Sequence, residues 1–113
     1  MAEMRHCHTA IIERDVTWTG KFETEPYEAG WASEAIYFVR VLEKDGQMGR
    51  GHGKPQISPD GMHWADEGTL MGFQENKEVA FVRVSRFGNY LRLVGELPPG
   101  TKAKVIVYLT LKA

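Results

Sequence analysis

The sequence predicts an all-β domain: a single antiparallel β-sandwich, jelly-roll-like, of about seven or eight strands with negligible helix. Two observations lead there. Glycine and proline punctuate the chain at short intervals, from Gly20 and Pro26 to Pro98-Pro99-Gly100. Between them, β-branched and aromatic residues alternate with period two, and no stretch carries an apolar stripe of helical spacing. Length and composition fit. The chain has 113 residues and a mass of 12.8 kDa, so one domain spanning 1–113 is expected, able to bury roughly two-thirds of its surface. With 42% hydrophobic residues, 26% charged residues and a net charge of −1, it belongs to neither the disordered nor the membrane class. Its charge balance sets up no field to draw nucleic acid or anionic lipid.

Strands are expected at roughly 5–12, 15–22, 34–43, 55–58, 64–71, 77–86, 90–97 and 103–112. Lys44-Asp45-Gly46 reads as a hairpin, since Asp-Gly tolerates the positive φ of tight turns. Ser58-Pro59-Asp60-Gly61 fits a type I turn with proline second and glycine fourth. Pro98-Pro99-Gly100 must end a strand, because neither proline donates to a ladder. Residues 27–35 allow a single helical turn at most, and 45–54 read as unstructured.

Parity assigns faces in the C-terminal half. Val105, Val107, Leu109 and Leu111 point one way, as do Leu91, Leu93 and Leu97 in their strand and Ala80, Val82 and Val84 in theirs. The expected core includes Ile36, Phe38, Trp64, Val82, Leu91, Leu93, Val107 and Leu109. The opposite faces should be polar, yet Phe81, Tyr90, Val94, Ile106 and Tyr108 lie among their charges, and Tyr37 lies opposite Ile36 and Phe38. Contiguous exposed apolar surface marks interfaces. Tyr37, Phe81, Tyr90, Val94, Ile106 and Tyr108 are therefore the expected assembly interface, with copies of the chain as partner.

The glycine-rich loop 46–54 carries Arg50, His52 and Lys54. Its spacing is not a phosphate loop, because Pro55 stands where magnesium-binding Ser or Thr belongs. It reads as an assembly arm whose cations reach Glu23, Glu25 or Glu28 of a neighbour. No catalytic residue, cofactor or metal is expected. Ser33, Ser58 and Ser85 lie outside any nucleophile-elbow pattern. Asp60 has a turn to cap, and Asp66 and Glu67 read as the solvated start of a strand. On an extended strand His6 and His8 share a face and Cys7 opposes them, so the triplet cannot close on one ion. A single cysteine excludes an internal disulfide. Trp18, Trp31 and Tyr27 form the alternative: an aromatic platform that would make the chain a carbohydrate-binding module, with a glycan as its ligand. Arg83, Arg86, Arg92, Lys102 and Lys104 are offset by acidic residues, so nucleic acid is not an expected partner. Neither is a membrane, since no apolar run nears the roughly 20 residues a span needs. Residues 1–15 show no basic-then-apolar targeting pattern, so the cytoplasm or a virion-like particle is the expected location.

Two segments resemble a known group. Gln56-Ile57-Ser58-Pro59-Asp60-Gly61-Met62-His63-Trp64 is similar to a Q-x-S-P-D-G-x-x-W strand–turn–strand form in small β-sandwich proteins of tailed phages and prophages. The later Arg86-Phe87-Gly88-Asn89-Tyr90-Leu91-Arg92-Leu93 and the closing strand from Lys104 to Leu109 are similar in order and spacing. The resemblance covers roughly residues 34–112. It implies a virion-structural protein that decorates or builds a repetitive shell or tube, and it brings no catalytic residues. The turn also resembles the Asp-box hairpin of propellers, but it lacks one residue between Asp60 and Gly61 and occurs once. The expected function is that of a non-enzymatic, self-assembling structural protein.

Overall fold

The computed structural model describes residues 7–113, which form an all-β sandwich. Ten strands run in chain order: β1 (Cys7–Thr19), β2 (Lys21–Glu23), β3 (Tyr27–Glu28), β4 (Glu34–Asp45), β5 (His52–Ser58), β6 (Ala65–Asp66), β7 (Met71–Gly72), β8 (Val79–Ser85), β9 (Tyr90–Glu96) and β10 (Lys102–Lys112). One sheet has the order β1-β10-β4-β8. The other has β2-β9-β5-β6, with β3 also on β9 and β7 also on β5. All pairings are antiparallel.

Pro26 separates β2 from β3, and the bend through Glu67 and Gly68 separates β6 from β7. Each pair is one interrupted edge strand, which reconciles ten elements with the eight strand positions of a jelly roll. Counted so, the first position pairs with the last (β1–β10), the second with the seventh (β2/β3–β9), the third with the sixth (β4–β8) and the fourth with the fifth (β5–β6/β7). The only helical piece among the described residues is a 3-10 turn, Met48–Arg50.

The core lies between the sheets. Val82, Val84, Leu91, Leu93, Leu97, Val105, Val107, Leu109 and Leu111 are buried in it, as their parity requires. Trp18 on β1 stacks on Phe22 of β2, with ring centroids 3.7 Å apart and planes 7° apart, closing one end. Gly95 is needed there. A Cβ on it would collide with the Phe22 ring and the His52 carbonyl.

Several sequence expectations are corrected. In β4 the inward residues are Tyr37 and Val39, each 0% exposed, while Ile36 and Phe38 are half-buried on the outer face. Both faces of β4 are apolar, so parity alone leaves the choice open. The register decides it by setting Tyr37 opposite Leu109 and Val39 opposite Val107. Burial pushes the Tyr37 phenol well above its ordinary pKa, with Thr24 acting weakly the other way. Trp64 is half-buried on the second sheet rather than in the core.

The expected strands 5–12 and 15–22 are largely one strand, β1, which passes through a bulge where Asp15 takes φ 55°. Asp45-Gly46 does not close a hairpin. Gly46, at φ 100° and against the Gly100 carbonyl, turns the chain from one sheet to the other. The 27–35 segment forms β3 and a turn, without helix.

Because Leu91 is 0% exposed, Leu91→Ala is expected to cost about 2–4 kcal/mol. Tyr37→Ala should cost more than Phe38→Ala. Urea unfolding midpoints check both, and the reverse order for the β4 pair would mean that its faces are exchanged.

Candidate functional site

The outer face of the four-stranded sheet carries a row of large apolar side chains set by register. Ile11 of β1 lies opposite Tyr108 of β10, Tyr108 opposite Phe38 of β4, and Phe38 opposite Phe81 of β8. Phe81 is 49% exposed and Ile11 43%. The Phe38 and Phe81 rings lie 6.2 Å apart at 40°, a tilted geometry favoured by aromatic quadrupoles. The adjacent row runs Val79, Arg40, Ile106. Charges rim this stripe: Arg83 sits over Phe81 at 5.0 Å, and Arg40 pairs with Glu78 at 2.9 Å. The hydrogen bond to Glu78, and after it Tyr108, raise Arg40 above its ordinary pKa.

Of the six expected interface residues, Phe81, Ile106 and Tyr108 share this face. Tyr90 and Val94 lie on the outer face of the other sheet, opposite Ser58 and Lys54. Tyr37 is in the core and forms no surface. Ile11, Phe38 and Val79 complete the stripe. The alternation in β1 and β8 was the signal for Ile11 and Val79, but only the strand order places them beside Tyr108 and Phe38.

The second sheet's outer face differs in character. A chain of charged and amide groups crosses it. Arg92 donates to Glu23 at 3.2 Å and to Gln56 at 2.8 Å, Gln56 donates to Asp66 at 2.8 Å, and Lys54 pairs with Asp66 at 2.8 Å. The Arg92 guanidinium also covers the Trp64 ring at 4.3 Å. Lys54, then Gln56, hold the Asp66 carboxyl below the usual range. A groove of ≈520 Å³ lies beside this chain, lined among others by Lys21, His52, Val94 and Glu96.

The expected arm is thereby corrected. Lys54 and His52 are strand residues, Lys54 is paired within its own chain, and Arg50 is exposed on the 3-10 turn. Met48 inserts into the core at 1% exposure. The Gly49 N–H donates to Glu75 at 2.6 Å. That bond, then Lys44, keep the Glu75 carboxyl below its ordinary pKa. Segment 46–54 is seated on its own subunit, and Glu23 is taken by Arg92.

The Ser58–Trp64 turn forms as its residue types dictate. Ser58 Oγ accepts from the Asp60 and Gly61 N–H groups at 3.2 and 2.8 Å. Asp60 Oδ1 accepts from Met62 and His63 N–H at 2.8 and 2.9 Å, and Asp60 Oδ2 meets His63 Nδ1 at 2.7 Å. Asp60 thus caps its turn. The aromatic platform does not assemble: Trp18 is in the core at 6% exposure, Tyr27 is half-buried, and Trp31 is 49% exposed. Among the described residues no three His, Cys, Asp or Glu side chains converge as metal ligands. His6 lies outside those residues. Cys7 and His8 are exposed and face Lys112 and Leu111 across the ladder. Among the same residues no helix is long and apolar enough to cross a membrane.

The chain matches no family model and no curated protein. Among solved structures it is similar to the SPBc2 prophage-derived protein YomS, with a TM-score of 0.65 and 9% identity over 100% of this chain and 98% of that one. A Clostridium perfringens protein solved in complex with GalNAc-β-1,3-galactose aligns with a TM-score of 0.46 and 13% identity, over 89% of this chain and 94% of that one. At these identities the likeness to YomS is one of fold, and that fold is shared with a phage-derived protein.

The hydrogen bonds to His63 and Met62 hold the Asp60 carboxyl far below its ordinary pKa. A carboxyl lowered on folding stabilises above its unfolded pKa, and that contribution is lost as pH falls through the folded one. Asp60→Asn keeps an acceptor but removes the charge. The thermal stability advantage of the native protein over Asp60→Asn should therefore hold at pH 5 and shrink progressively below about pH 4. An advantage that stays constant down to pH 2 would contradict this role of the carboxylate.

Proposed function

We propose that the chain is a non-enzymatic structural subunit that associates with copies of itself by burying the outer face of its four-stranded sheet. One observation carries this reading: the continuous row Ile11–Tyr108–Phe38–Phe81, whose two ends are 43% and 49% exposed. Apolar stripes with a charged rim mark interaction surfaces. Four strands about 4.8 Å apart, rising about 3.3 Å per residue, present a face on the order of 600 Å². This approaches the roughly 800 Å² per partner of a standard interface.

The polar groups elsewhere support a non-enzymatic role. Asp66 is engaged by Lys54 and Gln56, Glu23 by Arg92, and Asp60 by its own turn. The setting we propose is a repetitive, virion-like particle, which a prophage-derived neighbour of the same fold fits.

Tyr108→Lys places a charge at the centre of the row without touching the core. Light scattering is expected to give the native protein a mean mass above the 12.8 kDa of one chain. Tyr108→Lys should lower that mass while the far-UV circular dichroism stays unchanged. A native mass of one chain, or a Tyr108→Lys mass equal to the native one, would contradict the proposal.

A further inference from the structure

Sheet edges present unpaired backbone donors and acceptors, and proteins guard them with short strands, prolines or bulges. Three of the four edges here are guarded. The six-stranded sheet ends on one side in β2 and β3, of three and two residues with Pro26 between, and on the other in β6 and β7, of two residues each. β1 is bent by two register shifts and the positive φ of Asp15. β8 is different. It runs seven residues, Val-Ala-Phe-Val-Arg-Val-Ser, without proline, glycine or register shift.

The ladder fixes which backbone groups of β8 are free. The Val41 N–H donates to the Glu78 carbonyl at 2.8 Å, on the register that also pairs Val39 with Ala80, Tyr37 with Val82 and Ala35 with Val84. Hydrogen-bonded and non-bonded pairs alternate in an antiparallel ladder. Ala80, Val82 and Val84 therefore bond to β4, and Val79, Phe81, Arg83 and Ser85 aim their N–H and C=O groups away from it. Among the described residues no strand pairs with β8 on that side. A depression of ≈150 Å³ runs beside the Val79 end of the edge, lined in part by Gln74, Lys77 and Phe81.

We propose that β8 pairs with β8 of a second copy, antiparallel about a two-fold axis at Val82, joining two four-stranded sheets into one. The inference rests on the self-assembly reading and adds its edge contact. Self-complementarity selects the occupant and the register. Centred on Val82, the pairing engages all four outward residues of both strands: Val79 faces Ser85 of the second copy, and Phe81 faces its Arg83. Arg83 already lies 5.0 Å from the Phe81 centroid within the chain, and this register gives each Arg83 a second aromatic neighbour. A centre at Arg83 would set two guanidinium groups directly opposite, which like charges disfavour. A centre at Phe81 would leave Ser85 without a partner. The joined sheet also sets the apolar rows of both copies on one face, offset by one step, because Arg83 of each copy lies in the row of its Ile36.

Proline on an edge strand removes an outward donor and leaves the inner ladder in place. Arg83→Pro tests the edge, and Arg83→Ala controls for loss of the guanidinium. Arg83→Pro is expected to lower the mean mass by light scattering about twofold relative to the native protein, and Arg83→Ala, which loses the aromatic contact but keeps the backbone donor, to lower it less. In the native protein, the Phe81 and Arg83 amide hydrogens should exchange at least about tenfold more slowly as concentration rises through association. This second measurement needs no variant to fold. A native protein that associates while these amides exchange at one rate throughout would overturn the edge pairing and leave the face contact standing, as would an Arg83→Pro protein of native mass. A native protein that stays monomeric overturns both.

Discussion

The register of β10 against β4 is the constraint on which the rest of the molecule depends. β4 is apolar on both faces and does not specify by composition which side goes inward, whereas β10 gathers Val105, Val107, Leu109 and Leu111 on one face and so decides for both. Pairing Tyr37 with Leu109 and Val39 with Val107 buries four side chains at 0% exposure and commits Phe38 and Tyr108 to the outside. A slip of one residue would exchange the two sets. The aromatic row on the outer face is thus the necessary counterpart of the core beneath it, aligned by the same ladder that builds the sandwich.

The two outer faces then diverge for chemical reasons. On the six-stranded sheet, alternate positions carry Glu23, Arg92, Gln56, Asp66 and Lys54, which saturate one another across adjacent strands. That face is closed on itself by charge-assisted bonds, including the Arg92 guanidinium on Trp64. On the four-stranded sheet the central row is aromatic and β-branched, and the charges Arg40 and Arg83 flank it in the rows on either side. One face is satisfied by its own chain, and the other is satisfied by burial. The guarded and unguarded edges repeat this division, since interruptions protect the polar sheet and β8 leaves the apolar one open.

Much of the fold was legible in the sequence because period-two alternation is a local signal. The inward faces of β8, β9 and β10 followed from parity, and the Ser58–Trp64 turn from the chemistry of Ser, Pro, Asp and Gly. The misreadings share one cause: they concern non-local choices. Which face of β4 goes inward depends on β10, some 70 residues later. Whether Trp18 makes a platform or a core plug depends on Phe22 stacking beneath it. Glycine-rich 46–54 reads as mobile in isolation, yet Met48 and the Glu75 carboxylate pin it to its own subunit. The candidate surface was half legible for the same reason. Phe81, Ile106 and Tyr108 announced themselves as apolar residues on faces that should be polar, and their joining into one row with Ile11 and Phe38 required the strand order.

The central claim is that the row Ile11–Tyr108–Phe38–Phe81 is covered by another copy of the chain. Hydroxyl-radical footprinting of the native protein over a series of concentrations tests it most directly, because it reads side-chain exposure at those residues. The account predicts that Phe81, Tyr108 and Ile11 are oxidised readily in dilute solution and become protected together as concentration rises, while exposed Met62 and Trp31 stay reactive. Equal oxidation of Phe81 and Tyr108 at every concentration would contradict it.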